Sequence, residues 1–357
     1  MSPPATTENG RQNVSSPKDS DFEDVVHCYD ERTGLESVIA VHDTALGPSL
    51  GGIRMLQYPD HAAVVADAKR LAEAMSYNSA LAGVEFGGGK SVINARSDVW
   101  NRDELLLAHG RKIEELGGRY IPAVDMGTVV ADLDLISTVV STVSSRRRDP
   151  AEFTARSVVA AIREAVQTTE GTDLAGKRVG VSGVGQVGSQ IAFLLAAEGA
   201  LPVVADIDEK RSRRVAAQIG ATIATPRELL TADCDVLCPC AVGGVITEAV
   251  IDGLRTRYLI GASNNMLADP SLAVNLRTRD ITHVPDFVSN AGGLIACAAE
   301  VDNDDVDLRA RVERISGDTT RTLLAHAADR GLDTVTVAMQ LARERMAWRR
   351  QAMAAVR

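Results

Sequence analysis

Between Gly183 and Gly188 the chain reads Gly-Val-Gly-Gln-Val-Gly, and its setting constrains the fold more than any other feature of the sequence. An apolar run, Arg178 to Ser182, precedes the hexad, and a stretch with helical periodicity, Val187 to Glu198, follows it. A GxGxxG by itself is common; placed between a strand and a helix it marks the first turn of a dinucleotide-binding β-α-β unit. Gly183 then permits the tight turn, Gly185 lets the backbone approach a pyrophosphate, and Gly188 lets helix and strand pack closely. Gln186 and Val187 open the helix whose N-terminus meets the anion. The pattern also requires an acidic residue about 20 positions on, and Asp206 stands at the end of the apolar run Leu201 to Ala205. A carboxylate there accepts hydrogen bonds from ribose hydroxyls and repels a 2′-phosphate, so NAD is expected over NADP. Lys210, Arg211, Arg213 and Arg214 follow closely and are the feature that favours a 2′-phosphate instead.

The alternation continues. Helical spacing over Lys210 to Gln218 and strand-like runs at Val236 to Leu237, Tyr258 to Ala262 and His283 to Pro285 predict a parallel sheet covered on both faces. At 357 residues the chain exceeds the roughly 250–300 at which a single core stops growing, so a second domain is expected. Upstream, helices are predicted over Ala62 to Ser76 and Arg102 to Leu116, a glycine-rich turn over Leu81 to Lys90, and strands over Ser91 to Ala95 and Arg119 to Val124. The charged turn Arg146 to Pro150 reads as an interdomain loop, with the next helix near Thr154 to Thr168, and Arg309 to Ala355 reads as two helices.

Composition narrows the function. Aromatic residues are 3% of the chain and the formal net charge is −10, which disfavours base stacking and attraction to polyanions or anionic membranes. Small-molecule partners are expected, with no nucleic acid and no membrane. Met1 to Ser20 reads as a disordered leader without a signal-peptide core, and no long uncharged apolar run is present, so a cytoplasmic location is expected. Five scattered cysteines (Cys28, Cys234, Cys238, Cys240, Cys297) read as reduced thiols. The cluster Cys-Asp-Val-Leu-Cys-Pro-Cys lacks a second ligand arm, so a buried strand end is expected and no metal.

Gly87-Gly88-Gly89-Lys90-Ser91 invites comparison with a phosphate-binding P-loop, but the first glycine of that motif would fall on Val84. What remains is a lysine among glycines, either a surface residue or one desolvated enough to act on a carbonyl oxygen. Leu46 to Gly52 reads as another small-residue turn. Asp125 follows a strand and serves as a helix cap or a catalytic base; Asn264 and Asn265 follow Tyr258 to Ala262, where open α/β sheets bind ligands.

In order, LGPSLGGIRM, MSYNSALAGVEFGGGKSVI, AVDMGT, GVGQVG with Asp206, CAVGGVI, GASNNMLAD and PDFVSNAGG resemble the glutamate/leucine/phenylalanine/valine dehydrogenase family, most closely its leucine and phenylalanine branch. The resemblance runs from about Val26 to the C-terminal helices. It implies an α/β substrate domain (22–150) after a leader (1–21), a Rossmann NAD-binding domain (151–325) across a cleft, and C-terminal helices (326–357) returning to the first domain. It implies that Lys90 polarises a substrate carbonyl and that Asp125 shuttles protons as ammonia adds and water leaves. Gly51, Gly52 and Asn264 would hold substrate, and Leu50, Ala123, Leu294 and Cys297 would select its side chain. Thr154, Cys240, Ala241, Asn264 and Asn290 would line the cofactor site. A homo-oligomer follows from the family's habit.

One position departs from that pattern. The family places a lysine, which grips the substrate α-carboxylate, where this chain has Asn78, and the leucine branch's neighbouring glutamate is replaced by Val124. A charge-assisted hydrogen bond is about twice as strong as a neutral one, so a free carboxylate is expected to bind less well. Three readings follow: an amino-acid dehydrogenase holding the carboxylate with Arg54, backbone amides or Asn78; an amine or imine oxidoreductase whose substrate lacks a free carboxylate or carries an amide or ester there, in a specialised biosynthetic pathway; and a non-catalytic NAD-binding regulator, against which Lys90 and Asp125 argue.

Overall fold

The structure is a computed structural model and describes residues 21–95, 101–304 and 306–356, so the leader read at the N-terminus lies almost wholly outside the described residues. The first half comprises β1 (Asp24–Asp30), β2 (Leu35–Asp43), β3 (Ser49–Leu56), α1 (His61–Ala82), β4 (Gly87–Asn94), α2 (Arg102–Glu114), β5 (Tyr120–Val124) and α3 (Val130–Ile136). Its strands lie in the order β1-β2-β4-β3-β5, with β3 parallel to β4 and β5, and β2 antiparallel to β1 and β4.

Then come α4 (Pro150–Glu170), β6 (Arg178–Ser182), α5 (Gln186–Ala197), β7 (Leu201–Ala205), α6 (Glu209–Ile219), β8 (Thr222–Ile223), α7 (Pro226–Leu230), β9 (Val236–Pro239), α8 (Glu248–Gly253), β10 (Tyr258–Leu259), α9 (Leu272–Thr278), β11 (Thr282–His283), α10 (Asp286–Ser289) and α11 (Gly292–Val301). Two long helices, α12 (Leu308–Arg330) and α13 (Thr334–Val356), end the chain. The second sheet is parallel throughout, in the order β11-β10-β9-β6-β7-β8, as the alternation predicts. The order reverses between β6 and β9, which opens the crevice where such sheets take ligands.

Three sequence expectations need correction. Gly87 to Gly89 form no turn: they are the first residues of β4, buried along its length. Glycine is required because a Cβ on Gly88 would meet the Ser76 nitrogen of α1 at 2.1 Å, and one on Gly89 would meet Tyr120 Cδ2 at 2.8 Å. Ser49 to Gly52 likewise belong to β3 rather than to a turn. Helix α1 runs past Ser76 to Ala82, where Gly83 (φ 73°) caps it. Its polar residues Ser76, Asn78 and Ser79 are buried, and polarity alone does not end a helix whose face is covered. Strands β1 and β2 lacked a sequence signal.

The second sheet's main core combines Val179, Val181, Ile191, Leu195 and Ile260 with Val158 and Ile162 of α4, each fully buried. Aliphatic side chains of this size contribute about 1.5–3 kcal/mol apiece on burial. Helix α13 joins the halves: Val337 and Ala338 pack on that core, while Ala342 and Met346 pack on Leu46, Tyr77 and Ala80. Among the described residues no helix is long and apolar enough to cross a membrane.

Candidate functional site

Alternation along the first sheet decides which side chains meet. Leu50, Gly52 and Arg54 of β3, Gly88 and Lys90 of β4, and Ala123 with Asp125 at the end of β5 share the face covered by α1 and α11. Lys90 Nζ lies 2.8 Å from Asp125 Oδ2, and Arg54 Nε lies 3.0 Å from the same oxygen. Arg54 Nη1 reaches Asp67 Oδ2 of α1 at 3.2 Å, and the Tyr58 hydroxyl donates to that oxygen at 2.7 Å. Lys90 and Arg54 are the buried Lys and Arg side chains among the described residues; with Asp67 and Asp125 they form a quartet of two cations and two anions, to which the exposed Arg70 adds a third cation through Asp67.

Burial strips water from the Lys90 ammonium and pulls its pKa down, against the opposing pull of Asp125. Burial also disfavours the Asp125 carboxylate, but Lys90 and Arg54 outweigh it and hold that carboxyl below the usual range. The result is a lysine that gives up its proton more readily than in water beside a carboxylate fixed in its charged form. Such a pair can polarise a carbonyl oxygen and pass protons to a neighbouring atom. The rest of the turn is braced: the Asp125 amide donates to Thr128 Oγ1 at 3.0 Å, and the Thr128 hydroxyl donates to Ile53 O at 2.9 Å.

The second wall is made of backbone. Gly183 sits at φ 97°, and a Cβ there would strike Ala241 Cβ at 2.7 Å; a Cβ on Gly188 would strike Gly183 O at 1.9 Å and come within 3.1 Å of Cys240 Cβ. Gly185 has open space where its Cβ would be, and as the N-cap of α5 it makes no side-chain cap. A backbone open at Gly185 beside an uncapped helix N-terminus fits a pyrophosphate. Asp206 ends β7; its carboxylate accepts from the amides of Val184 and Asp208, both at 2.9 Å, which fixes it beside the loop with lone pairs to spare. Arg211 and Arg213 pair with Asp208 at 3.4 Å and Glu209 at 3.1 Å. The Gln186 amide donates to Asp149 Oδ2 at 2.9 Å, and Val187 packs on the core.

The walls meet along α1 and α11. Leu294 and Cys297 of α11 pack with Leu50, Phe86, Ile121 and Ala123, which brings the four residues expected to select a side chain into one apolar cluster. The Ser144 hydroxyl donates to Cys297 O at 2.9 Å, and the Arg146 amide donates to Glu300 at 2.9 Å, fixing the crossing chain to α11. Asn78 Nδ2 donates to Asn290 Oδ1 at 3.4 Å, and Asn290 Nδ2 donates to Asn264 Oδ1 at 2.8 Å, a chain of amides from the first half to the second.

Other expected residues have partners of their own. Val124 faces the opposite side of the sheet and packs with the cluster of Ile53, Leu105 and Leu133. The Gly51 carbonyl accepts the Tyr120 hydroxyl at 2.7 Å, and the Thr154 hydroxyl donates to Pro150 O at 2.9 Å, one turn back in α4. Arg54 spends its guanidinium on Asp125 and Asp67 and does not stand free for a carboxylate. Asp67 and Tyr58 were missed, since no spacing in the sequence ties them to Lys90. The five cysteines are unpaired, and no group of metal-binding side chains occurs among the described residues.

Known proteins resemble this chain along most of its length. A model of the Glu/Leu/Phe/Val dehydrogenase dimerisation domain matches residues 23–142, and the Glutamate/Leucine/Phenylalanine/Valine dehydrogenase model matches residues 146–210 and 202–354. Valine dehydrogenase of Streptomyces albus is 39% identical over 336 residues, covering 91% of this chain and 92% of its own. Leucine dehydrogenase of Bacillus subtilis is 37% identical over 334 residues, with 91% and 92% covered. The crystal structure of L-tryptophan dehydrogenase from Nostoc punctiforme superposes with a TM-score of 0.81 at 32% identity, covering 93% of this chain and 97% of that one.

Proposed function

The chain belongs to the Glu/Leu/Phe/Val dehydrogenase family, and from that premise we propose that it is an NAD-dependent L-amino-acid dehydrogenase, converting an amino acid reversibly to a 2-oxo acid and ammonia. The observation that carries this reading is the buried Lys90–Asp125 pair at 2.8 Å, on the sheet face that closes against α11. NAD, held by Gly183 to Gly188 and Asp206, supplies the hydride acceptor. Lys90 stabilises negative charge developing on the substrate oxygen, and Asp125 accepts and returns protons at the carbon that exchanges ammonia for water. Leu50, Ala123, Leu294 and Cys297 bound a small aliphatic side-chain pocket. The same reading divides the chain into a substrate domain (22–150), a Rossmann domain (151–325) and returning C-terminal helices (326–357), and gives it a homo-oligomeric state.

The test is a panel of L-amino acids with NAD, followed by NADH absorbance. Turnover of aliphatic members is expected; turnover of none of them, in protein that binds NADH, refutes the reading. Preference for NADPH over NADH would refute the Asp206 assignment. A second reading, an amine or imine oxidoreductase acting without a free α-carboxylate, is favoured by Asn78, which brings no charge to the site where the family has lysine.

A further inference from the structure

The amide chain from Asn78 to Asn264 has a direction that the sequence does not reveal. Asn290 Nδ2 donates twice, to Asn264 Oδ1 at 2.8 Å and to Ala262 O at 3.3 Å, which uses both of its hydrogens. Its Oδ1 is therefore turned toward Asn78 and accepts from Asn78 Nδ2 at 3.4 Å. That assignment fixes the Asn78 amide in turn, because a flipped amide would set two carbonyl oxygens against each other. Asn78 Oδ1 is left buried with no hydrogen-bond partner. An unsatisfied buried acceptor is costly and marks a place where a donor belongs.

The neighbourhood says which molecule brings the donor. Asp67, Leu71, Met75 and Asn78 lie along one stripe of α1 at spacings of four, four and three. Asp67 binds the Arg54 that touches Asp125, and Met75 packs on the Leu50–Leu294–Cys297 pocket, so Asn78 continues the stripe beyond the side-chain pocket toward Asn290 and Asn264. Lys90 and Arg54 are already paired with Asp125 and Asp67, and the exposed Arg70 is also bound to Asp67. A substrate carboxylate there would meet a carbonyl oxygen and no unpaired buried cation among the described residues.

We propose that Asn78 Oδ1 accepts a hydrogen bond from the N–H of a carboxamide standing where an amino acid carries its carboxylate, so that the preferred substrates are 2-amino carboxamides with small aliphatic side chains. The inference rests on the second reading above, an oxidoreductase whose substrate carries no free α-carboxylate, and names its substrate class. The reaction balances with the same reagents: the amino carboxamide, NAD⁺ and water give the 2-oxo carboxamide, ammonia, NADH and a proton. The Cα–H bond breaks with its electron pair reducing NAD⁺, the Cα–N bond is replaced by C=O from water, and the amide C–N bond stays intact.

The experiment compares L-leucinamide, L-leucine and 3-methylbutylamine, first by kcat/KM with NAD and then by calorimetric binding to the protein holding NADH, where no turnover occurs. Leucinamide is expected to exceed each of the others by about tenfold or more in both, the value of satisfying one buried acceptor. Leucine equal to or better than leucinamide overturns the proposal, and so does 3-methylbutylamine matching it, since then the amide donor contributes nothing. Asn78→Lys should reverse the order between leucine and leucinamide, and an unchanged order overturns it. If none of the three is oxidised, the oxidoreductase reading fails, and the calorimetric order still decides whether Asn78 selects an amide.

Discussion

In the proposed reading the two walls of the cleft each hold a polar small molecule, and they are built by opposite means. The wall on the first sheet uses four charged side chains, from β3, α1, β4 and the end of β5, paired cation to anion. The wall on the second sheet uses main chain: three glycines, an uncapped helix end and one carboxylate fixed by two amides. The first is tuned by which residues surround a group, and the second by which atoms are absent. Two largely covered carboxyls sharpen the contrast. Asp125 has Lys90 and Arg54 against it and is held ionised, whereas burial pushes Asp286 of α10 up to about 6, only partly relieved by the Asn265 amide that donates to it at 2.9 Å.

The largest expected effect separates the walls. Lys90→Ala should lower kcat by about 10²–10³-fold, the usual loss when a group stabilising an oxyanion is removed, with NADH affinity unchanged in a fluorescence titration. Equal losses in both would show that the walls are not independent.

Next is the stability of the two carboxyls. Because the folded-state pKa of Asp286 is raised, the native protein binds the extra proton between about pH 4 and 6. Its contribution therefore falls as pH rises through that window, by roughly 3 kcal/mol at most. Asp286→Asn should flatten that slope in urea unfolding measured from pH 4 to 7. Asp125 has the opposite sign: its pKa is lowered, so its contribution is present above the unfolded carboxyl range and lost as pH falls below it.

On the backbone wall, Gly188→Ala places a methyl group 1.9 Å from Gly183 O and forces α5 back from the loop. A loss of NADH affinity of about tenfold or more is expected, comparable to other overpacking costs, while the quartet on the other wall stays intact. An unchanged affinity would mean that the close approach of α5 does not matter.

The smallest effect is a shift of profile. Arg54→Gln removes one of the two cations on Asp125, so the acid limb of kcat/KM against pH should move toward higher pH. A shift to lower pH would contradict the coupling.

How much of this was legible in the sequence follows from the same contrast. A wall built on missing side chains restricts residue type at fixed spacing, so Gly183, Gly185, Gly188 and Asp206 were readable directly. The charged wall draws on residues from Arg54 to Asp125 whose only connection is the register of β3, β4 and β5. There the glycines misled: Gly87 to Gly89 suggest a turn because strands seldom contain glycine, yet the crowding by Ser76 and Tyr120 that demands them comes from elements distant in sequence. Val124 went astray for a simpler reason, since neighbouring residues on a strand point to opposite faces. Asn78 was conspicuous by its departure from a family pattern, but its unsatisfied oxygen depends on how Asn290 is turned.

Leu294 and Cys297 sit on α11, whose neighbours α4 and α12 lie downstream of the first sheet, yet the floor they complete is Leu50 and Ala123 of that sheet. In the proposed reading, the pocket that measures a side chain has its two sides mounted on different halves of the chain, and neither half closes it alone. A side chain that is too long therefore acts as a wedge between the halves, not as a misfit within one of them. Size selection and the meeting of the two halves become a single event, and a substitution at Leu294 that widens the substrate range should also loosen the seam held by Ser144 and Glu300.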